Sequence, residues 1–321
     1  MRLDRLSDIT SELSSNLVKS IVFPTGFWEW LTRPLADRRR DRKAGSKSGE
    51  VAESGHGVAT GPLVLIGGAP IPDEAVVALI HLVGGRSAAM AVVPVATRDP
   101  GRAAEEGVRG FTRFGMRKVE VLELTTREQA ESEEWARRLS SFDGVLLCGE
   151  DPLVGLDILA GTRCARTLQE MMAAGKPVAG LAAGAAILGE RLLVEQDGKE
   201  TVVAGLGLAP SLMVDPYFTQ RARFSRMAQA LSQGGLGNLL GVGVDGGTAV
   251  VIRDEEARVL GEGSATFLSP EESVPVGDQG NGTPGAAELK VHVLTDGFGL
   301  NLRTRKPTAA VREPAEAAGN R

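Results

Sequence analysis

The sequence of 321 residues is poor in cysteine, histidine and aromatic side chains. Its two cysteines, Cys148 and Cys164, are too few for a disulfide framework and form no CxxC pair. With only three histidines there is no zinc-ligand spacing either, so we expect neither a metal nor a cofactor. No apolar run reaches about 18 residues, the length that spans a bilayer, and the N-terminus lacks a signal-peptide core. We therefore expect a cytoplasmic protein.

The overall charge is also small. A net charge of -5 offers no electrostatic argument for binding nucleic acid. Hydrophobic residues make up 42% of the chain, enough for a large core, but aromatic residues make up only 4%. Since Ala, Val and Leu supply most of the apolar content, helices packed on a sheet are favoured over an all-β sandwich.

Short apolar runs alternate with segments of helical spacing from residue 61 onward. The runs at 62–68, 89–96, 117–124, 144–149 and 177–184 are typical of strands buried on both faces of a parallel sheet. The alternation predicts an α/β fold with a doubly wound, mostly parallel sheet and helices on both faces. After about residue 190, runs at 240–245, 248–254, 257–261, 289–294 and 298–304 predict a mostly antiparallel C-terminal extension on the same sheet. Residues 269–288 are expected to form a loop.

The N-terminal part of the chain has a different composition. Residues 1–43 form an amphipathic and basic arm, in which Phe27, Trp28 and Trp30 precede a basic run at 33–43. Residues 44–60 are rich in Gly and Ser and predict a flexible linker. The folded domain is expected at 61–306 and a disordered tail at 307–321. We expect the arm to bind an anionic membrane surface or a protein partner, with its aromatic side chains at the headgroup level; the alternative is that it packs on its own domain or on a second copy.

The most informative segment is Gly180-Leu181-Ala182-Ala183-Gly184, between a predicted strand and a predicted helix. A G-x-S-x-G nucleophile elbow needs glycines two residues before and after the nucleophile, because the sharp turn leaves no room for a Cβ there. Gly180 and Gly184 meet that need, but the central position holds Ala182. We expect Ala182 to lie at the tip of a strained strand-to-helix turn. Taken alone, the glycine pair favours simple packing of a strand against a helix.

A wider resemblance gives this segment its meaning. The chain from about 61 to 307 resembles the cyanophycinases and aspartyl dipeptidases, serine exopeptidases with a fold similar to the class I glutamine amidotransferases. The matching stretches, in the family's order, are GPLVLIGGAP, AVVPVATRDP, GVLLCGEDPL, GKPVAGLAAGAAILGE, DPYFTQRARFSR, LLGVGVDGGTAVVI and HVLTDGFGLNLRTRKP.

The resemblance implies that all three members of a catalytic triad have been replaced. The family's G-T-S-A-G-A elbow has its serine at the position of Ala182, which has no oxygen to attack a carbonyl. The histidine of its D-x-H-F-x-x-R-x-R segment is Tyr217 here, and a phenol is a poor proton acceptor near neutral pH. The glutamate that would orient this histidine is Gly246. In the loop that matches T-G-G-D-Q, Glu150 would repel a developing oxyanion, and Pro152 replaces a glutamine.

The candidate binding residues remain. Those matching the family's polar positions are Asp151, Asp215, Arg221, Arg223 and Arg226. Arginine can grip a carboxylate with two parallel hydrogen bonds, so a pocket for an acidic or peptide-like ligand is one interpretation. The other is that these arginines pair with carboxylates of the domain and only support the loop.

Three functional hypotheses follow. The favoured one is a catalytically inactive, cyanophycinase-like module that binds or senses a peptide-like ligand, as a monomer or a homodimer. The second is a hydrolase with a rearranged site that uses Cys148 or Ser211. The third is a structural platform for the N-terminal arm at the membrane periphery.

Overall fold

The computed structural model describes residues 21, 23–24, 26–33, 61–232, 236, 238–270, 274–276 and 285–308. The central sheet has nine strands in the order β17-β16-β11-β10-β1-β5-β4-β2-β3. Its parallel half consists of β1 (Leu63–Ile66), β2 (Ala89–Ala96), β3 (Lys118–Val121), β4 (Gly144–Gly149) and β5 (Val178–Ala182). Its antiparallel half consists of β10 (Thr248–Arg253), β11 (Glu256–Gly261), β16 (Gly299–Asn301) and β17 (Lys306–Thr308). The expected α/β sheet with an antiparallel extension is confirmed.

Helices cover both faces of this sheet. They are α1 (Phe27–Thr32), α2 (Asp73–Leu82), α3 (Pro100–Arg113), α4 (Arg127–Glu131), α5 (Glu133–Ser140), α6 (Pro152–Leu159), α7 (Arg163–Ala173) and α8 (Ala183–Ala186). A further helix, α9 (Phe224–Leu231), packs instead on a second sheet. The strand period of two explains the layering: Leu63 and Leu65 enter one core, and Val64 and Ile66 enter the other. α1, α2 and α3 pack on the second core.

A second sheet changes one expectation. Its six strands have the order β15-β12-β9-β8-β6-β7. They are β6 (Gly189–Gln196), β7 (Lys199–Ala204), β8 (Ala209–Pro216), β9 (Leu240–Val244), β12 (Ser264–Ser269) and β15 (Lys290–Thr295). The runs at 240–245 and 289–294 therefore lie in this sheet and not in the first, because an apolar run specifies burial but not the strand that pairs with it. Within the expected loop at 269–288, β13 (Val274–Val276) pairs with β14 (Gly285–Ala287).

The folded domain extends beyond its predicted boundaries at both ends. Pro307 and Thr308, assigned to the tail, pair in β17 with β16, while 309–321 lie outside the described residues. At the other end, α1 packs on the domain although it was assigned to the arm. Phe27 and Trp30 are 0% and 3% exposed, so these rings are not available to a headgroup region. Most of 1–43 and all of 44–60 lie outside the described residues.

Arg253 binds the C-terminal end of α1. Its guanidinium, on β10, donates hydrogen bonds to the backbone oxygens of Trp30, Leu31 and Arg33 at the C-terminal end of the helix. Arg258 places its guanidinium 5.1 Å from the centre of the Trp30 ring. Phe27 and Trp30, two of the aromatic residues expected at the headgroup level, are thus used for intramolecular packing. Across the described residues, no helix is long and apolar enough to cross a membrane.

We expect Arg253→Ala to lower the free energy of unfolding by about 2 to 3 kcal/mol, because three carbonyl groups, those of Trp30 and Leu31 in buried hydrogen bonds, lose a charged donor. Urea denaturation followed by tryptophan emission measures the change. Arg137→Ala, at an exposed position of α5, serves as the control and should change stability by less than about 0.5 kcal/mol. Equal stabilities of the two variants would show that Arg253 does not anchor α1.

Candidate functional site

A cavity of about 480 Å³ lies where β4 and β5 end, the edge of a parallel sheet at which α/β folds bind ligands. Ala182 and Tyr217 both line it, as do Glu150 and Asp151 from the loop after β4. The last residues of β8 close another side. The structure therefore brings together most of the positions that sequence reasoning selected, from four separate segments of the chain.

Ala182 has the strained geometry of a nucleophile elbow. It joins β5 to α8 with φ 54° and ψ -119°, a backbone conformation that non-glycine residues rarely adopt. A Cβ on Gly180 would lie 2.5 Å from the Cα of Ala185, and one on Gly184 would lie 2.1 Å from the carbonyl oxygen of Leu147. Both glycines are therefore required by close packing. The prediction of a strained turn at Ala182 is confirmed, and the side chain at its tip is a methyl group.

Tyr217 fills the space beside this turn. Its hydroxyl oxygen accepts a hydrogen bond of 3.1 Å from the backbone N–H of Ala69. A Cβ on Gly68 would lie 2.1 Å from the ring, so Gly68 is needed for the ring to fit. The guanidinium of Arg221 lies 4.9 Å from the centre of the Tyr217 ring and makes a cation–π contact with it.

Gly246 provides room for the same ring. A Cβ at this position would lie 3.3 Å from Tyr217, tighter than an ordinary van der Waals contact, and a longer side chain would have to be directed away. The backbone N–H of Gly246 donates to the side chain of Gln220. The three positions matched to a triad thus carry a methyl group, a bound phenol and no side chain.

Asp215 binds two of the candidate arginines. The carboxylate is 2% exposed and accepts hydrogen bonds from Arg226 Nε at 2.9 Å and Arg226 Nη2 at 2.6 Å, with Arg223 as a second partner. Burial raises the pKa of Asp215, and the hydrogen bonds and charges of Arg226 and Arg223 oppose that shift. These two arginines therefore serve to neutralise a buried carboxylate, the second of the two interpretations of the sequence.

The loop after β4 is organised by its own carboxylates. Asp151 caps α6, since its Oδ1 accepts hydrogen bonds from the N–H groups of Leu153 and Val154. Glu150 accepts a hydrogen bond of 2.8 Å from the hydroxyl of Thr97, a residue that sequence reasoning missed. Because Gly149 pairs with Ala182 across β4 and β5, Glu150 follows directly on the strand position beside the elbow.

The charges that remain in the cavity wall are mixed. Within the described part of the chain, four wall carboxylates are paired with no cation, namely Asp99, Glu150, Asp151 and Glu195, and Arg102 and Arg221 are paired with no carboxylate. Of the selected arginines, only Arg221 is thus left with its charge available. No group of three or more His, Cys, Asp or Glu among the described residues could hold a metal ion.

The substitute nucleophiles proposed from the sequence are buried or lie away from the cavity at Ala182. Cys148 is 0% exposed, and burial, with a smaller effect of Glu150, raises the pKa of its thiol to about 12. A thiolate is the reactive form of cysteine, so this thiol is inert near neutral pH. Ser211 lines a different cavity, near the start of β8. His81 and His292 lie on α2 and β15, and His56 lies outside the described residues.

We expect neither cysteine of the folded chain to react with an aromatic disulfide reagent at pH 8, whereas both react after denaturation. Burial raises the pKa of Cys164 as well, to about 11. Since the folded-state pKa of each thiol exceeds its ordinary value of 9.0, their deprotonation opposes folding and stability falls as the pH rises above 9. Rapid modification of one thiol in the folded chain would show that Cys148 or Cys164 is accessible and ionised.

Comparison with known proteins places this geometry in a family. Residues 63–260 match the model of a protein family described as "Peptidase family S51". The chain belongs to peptidase family S51. It is 31% identical over 240 residues to the cyanophycinase of Trichormus variabilis, covering 71% of this chain and 80% of that protein. It is 33% identical over 239 residues to the cyanophycinase of Synechococcus elongatus, covering 70% of this chain and 72% of that protein.

The fold agrees with this assignment. A solved peptidase from an acI-B1 Actinobacterium superposes with a TM-score of 0.60 at 21% identity, over 77% of this chain and 98% of the other. At that level of identity the likeness concerns the fold alone. Membership of the S51 family is consistent with the strand-to-helix turn at Ala182, and the family match spans both Ala182 and Tyr217.

Proposed function

We propose that this S51-family protein is a catalytically inactive member that binds a peptide-like ligand in the cavity at Ala182. The observation that carries the proposal is the position of Tyr217, whose hydroxyl accepts a hydrogen bond from Ala69 N–H beside a turn that presents a methyl group. Covalent acyl transfer needs a nucleophilic oxygen or sulfur with a base in reach. Ala182 has no such atom, and a phenol near neutral pH accepts protons poorly.

The charges in the cavity wall support a ligand with both signs of charge. Arg223 and Arg226 are paired with Asp215, and Arg226 also with Glu200, so a purely acidic ligand would meet only Arg102 and Arg221 as cations without a carboxylate partner. Glu150 and Glu195 would then oppose it. A short peptide with a free amine and a free carboxylate matches the wall better, with its carboxylate at Arg221 and its ammonium group at Glu150.

The relatives direct the choice of peptide. Those in Trichormus variabilis and Synechococcus elongatus are named cyanophycinases, so we propose cyanophycin-type and β-aspartyl peptides as the compounds to test. Cyanophycin fragments and the dipeptide β-aspartyl-alanine serve as probes.

We expect isothermal titration calorimetry to detect saturable binding of a cyanophycin fragment or of β-aspartyl-alanine, without turnover. Arg221→Gln and Glu150→Gln should each weaken binding by about tenfold, because each removes one charge-assisted hydrogen bond of roughly 1.5 kcal/mol. Arg137→Gln, far from the cavity on α5, is the matched control and should bind like the unaltered chain. Absence of binding for every peptide, or identical affinities in all variants, would contradict the proposal.

A further inference from the structure

A second cavity of about 350 Å³ lies at the opposite end of the same strands. The site at Ala182 lies beyond the end of β1 and at the end of β8, whereas this cavity is lined by Leu63 at the start of β1 and by Ala209–Leu212 at the start of β8. We propose that it is a separate binding site for an uncharged, apolar small molecule that carries one hydrogen-bonding group. This site does not depend on the function proposed for the first cavity.

The wall of the cavity is apolar. Its main lining side chains are Leu63, Leu208, Leu212, Leu240, Ile252 and Leu302. These come from both sheets, since Leu63 pairs with Ile252 in the first and Leu212 pairs with Leu240 in the second. The cavity lies between two packed sheets and is lined by aliphatic side chains. Its volume is within the range of small-molecule sites, most of which exceed about 300 Å³.

The rim of the cavity carries equal numbers of acidic and basic side chains. Two carboxylates, Asp254 and Glu255, stand against two guanidinium groups, Arg303 and Arg305. Arg303 Nε lies 2.8 Å from Glu255 Oε2, and Arg305 donates to Ser269 Oγ at 2.6 Å and to the backbone oxygen of Asn238 at 2.8 Å. With two acidic and two basic side chains the rim has no net charge, and a charged ligand would also have to compete with the pair of Arg303 and Glu255, which favours an uncharged one.

Ser211 provides the polar contact. It has a positive φ of 61°, rare for a non-glycine residue, and its N–H donates to Glu190 Oε2 at 2.8 Å. Ser211 is half-buried and lines the cavity, and its hydroxyl has no hydrogen-bond partner among the described residues. A hydroxyl both donates and accepts, so it can bind a single carbonyl, hydroxyl or amine of an otherwise apolar ligand.

The test uses the full chain and the neutral fluorophore N-phenyl-1-naphthylamine, which brightens in apolar surroundings and carries one amine. We expect saturable binding with a stoichiometry of one. Leu302→Trp, at a half-buried lining position, should weaken binding by about tenfold or more because the larger side chain takes up the ligand's space. Leu153→Trp is the matched control, since Leu153 is a half-buried leucine that lines the cavity at Ala182.

Two outcomes would overturn the inference. One is the absence of saturable binding to the unaltered chain, which would show that the cavity is closed to small molecules or taken up by the chain itself. The other is equal affinity in Leu302→Trp and in the unaltered chain, or a loss only in Leu153→Trp, which would place the probe elsewhere. If thermal unfolding shows that Leu302→Trp does not fold, Pro210→Phe at another half-buried lining position replaces it, with the same expected loss.

Discussion

The triple variant Ala182→Ser, Tyr217→His and Gly246→Glu is expected to hydrolyse β-aspartyl peptides, whereas Ala182→Ser alone is not. The strained turn at Ala182 is intact, so a serine there would present its hydroxyl to the cavity. Replacing Tyr217 also removes the ring contact that restricts a side chain at position 246. A serine without a base gains little, because members of a triad act as a unit. We expect the triple variant to exceed the single variant by at least about 100-fold in kcat/KM.

Glu150 sets a limit on this gain. Its carboxylate lies in the cavity wall beside the elbow and would oppose the negative charge of an acyl-transfer intermediate. Adding Glu150→Gly to the triple variant should therefore raise turnover further. The assay is chromatographic detection of released amino acids, with thermal unfolding as a check on folding. If Ala182→Ser alone were as active as the triple variant, a base other than residue 217 would have to be present.

The second large effect concerns stability. Arg226→Ala is expected to lower the free energy of unfolding by at least about 2 kcal/mol, because a carboxylate buried at Asp215 loses its bidentate partner. Arg221→Ala, in the same segment, should cost only about 0.5 to 1 kcal/mol, the value of an exposed cation–π contact. Chemical denaturation of the two variants measures the contrast.

The ligand affinities of these variants should have the opposite order. Arg221 has its charge available in the cavity, and Arg226 is held by Asp215 and Glu200. If Arg226→Ala left stability unchanged but abolished peptide binding, Arg226 would be a ligand-binding residue and not a structural one.

The sequence predicted the parallel sheet from its apolar runs, and it predicted the turn at Ala182 from the glycine pair together with the family resemblance. Strands buried on both faces form short apolar runs, and a tight strand-to-helix turn requires glycines at 180 and 184, so both features have local signals. The hydrogen bond between Tyr217 and Ala69 has no local signal in the sequence, because its partners are 148 residues apart. The pairing of Arg223 and Arg226 with Asp215 could not be predicted from the sequence either. An arginine that binds a ligand carboxylate and one that binds a carboxylate of its own domain have the same sequence signal.

The segment around α1 illustrates a different limit. Phe27, Trp28 and Trp30 form an aromatic cluster that a membrane interface and a protein core would both accept. What decides between them is Arg253, which follows more than 200 positions later and binds the end of the helix. Periodicity identifies an apolar surface but not its partner.

Prolonged incubation of the unaltered chain with β-aspartyl peptides and cyanophycin, followed by mass spectrometry, tests whether the site at Ala182 is catalytically inactive. We expect intact peptides in samples where calorimetry shows that at least one of these compounds is bound. Cys148→Ala and Ser211→Ala are assayed beside it. Product release by the unaltered chain that either substitution abolishes would show that the chain is catalytically active through a rearranged site.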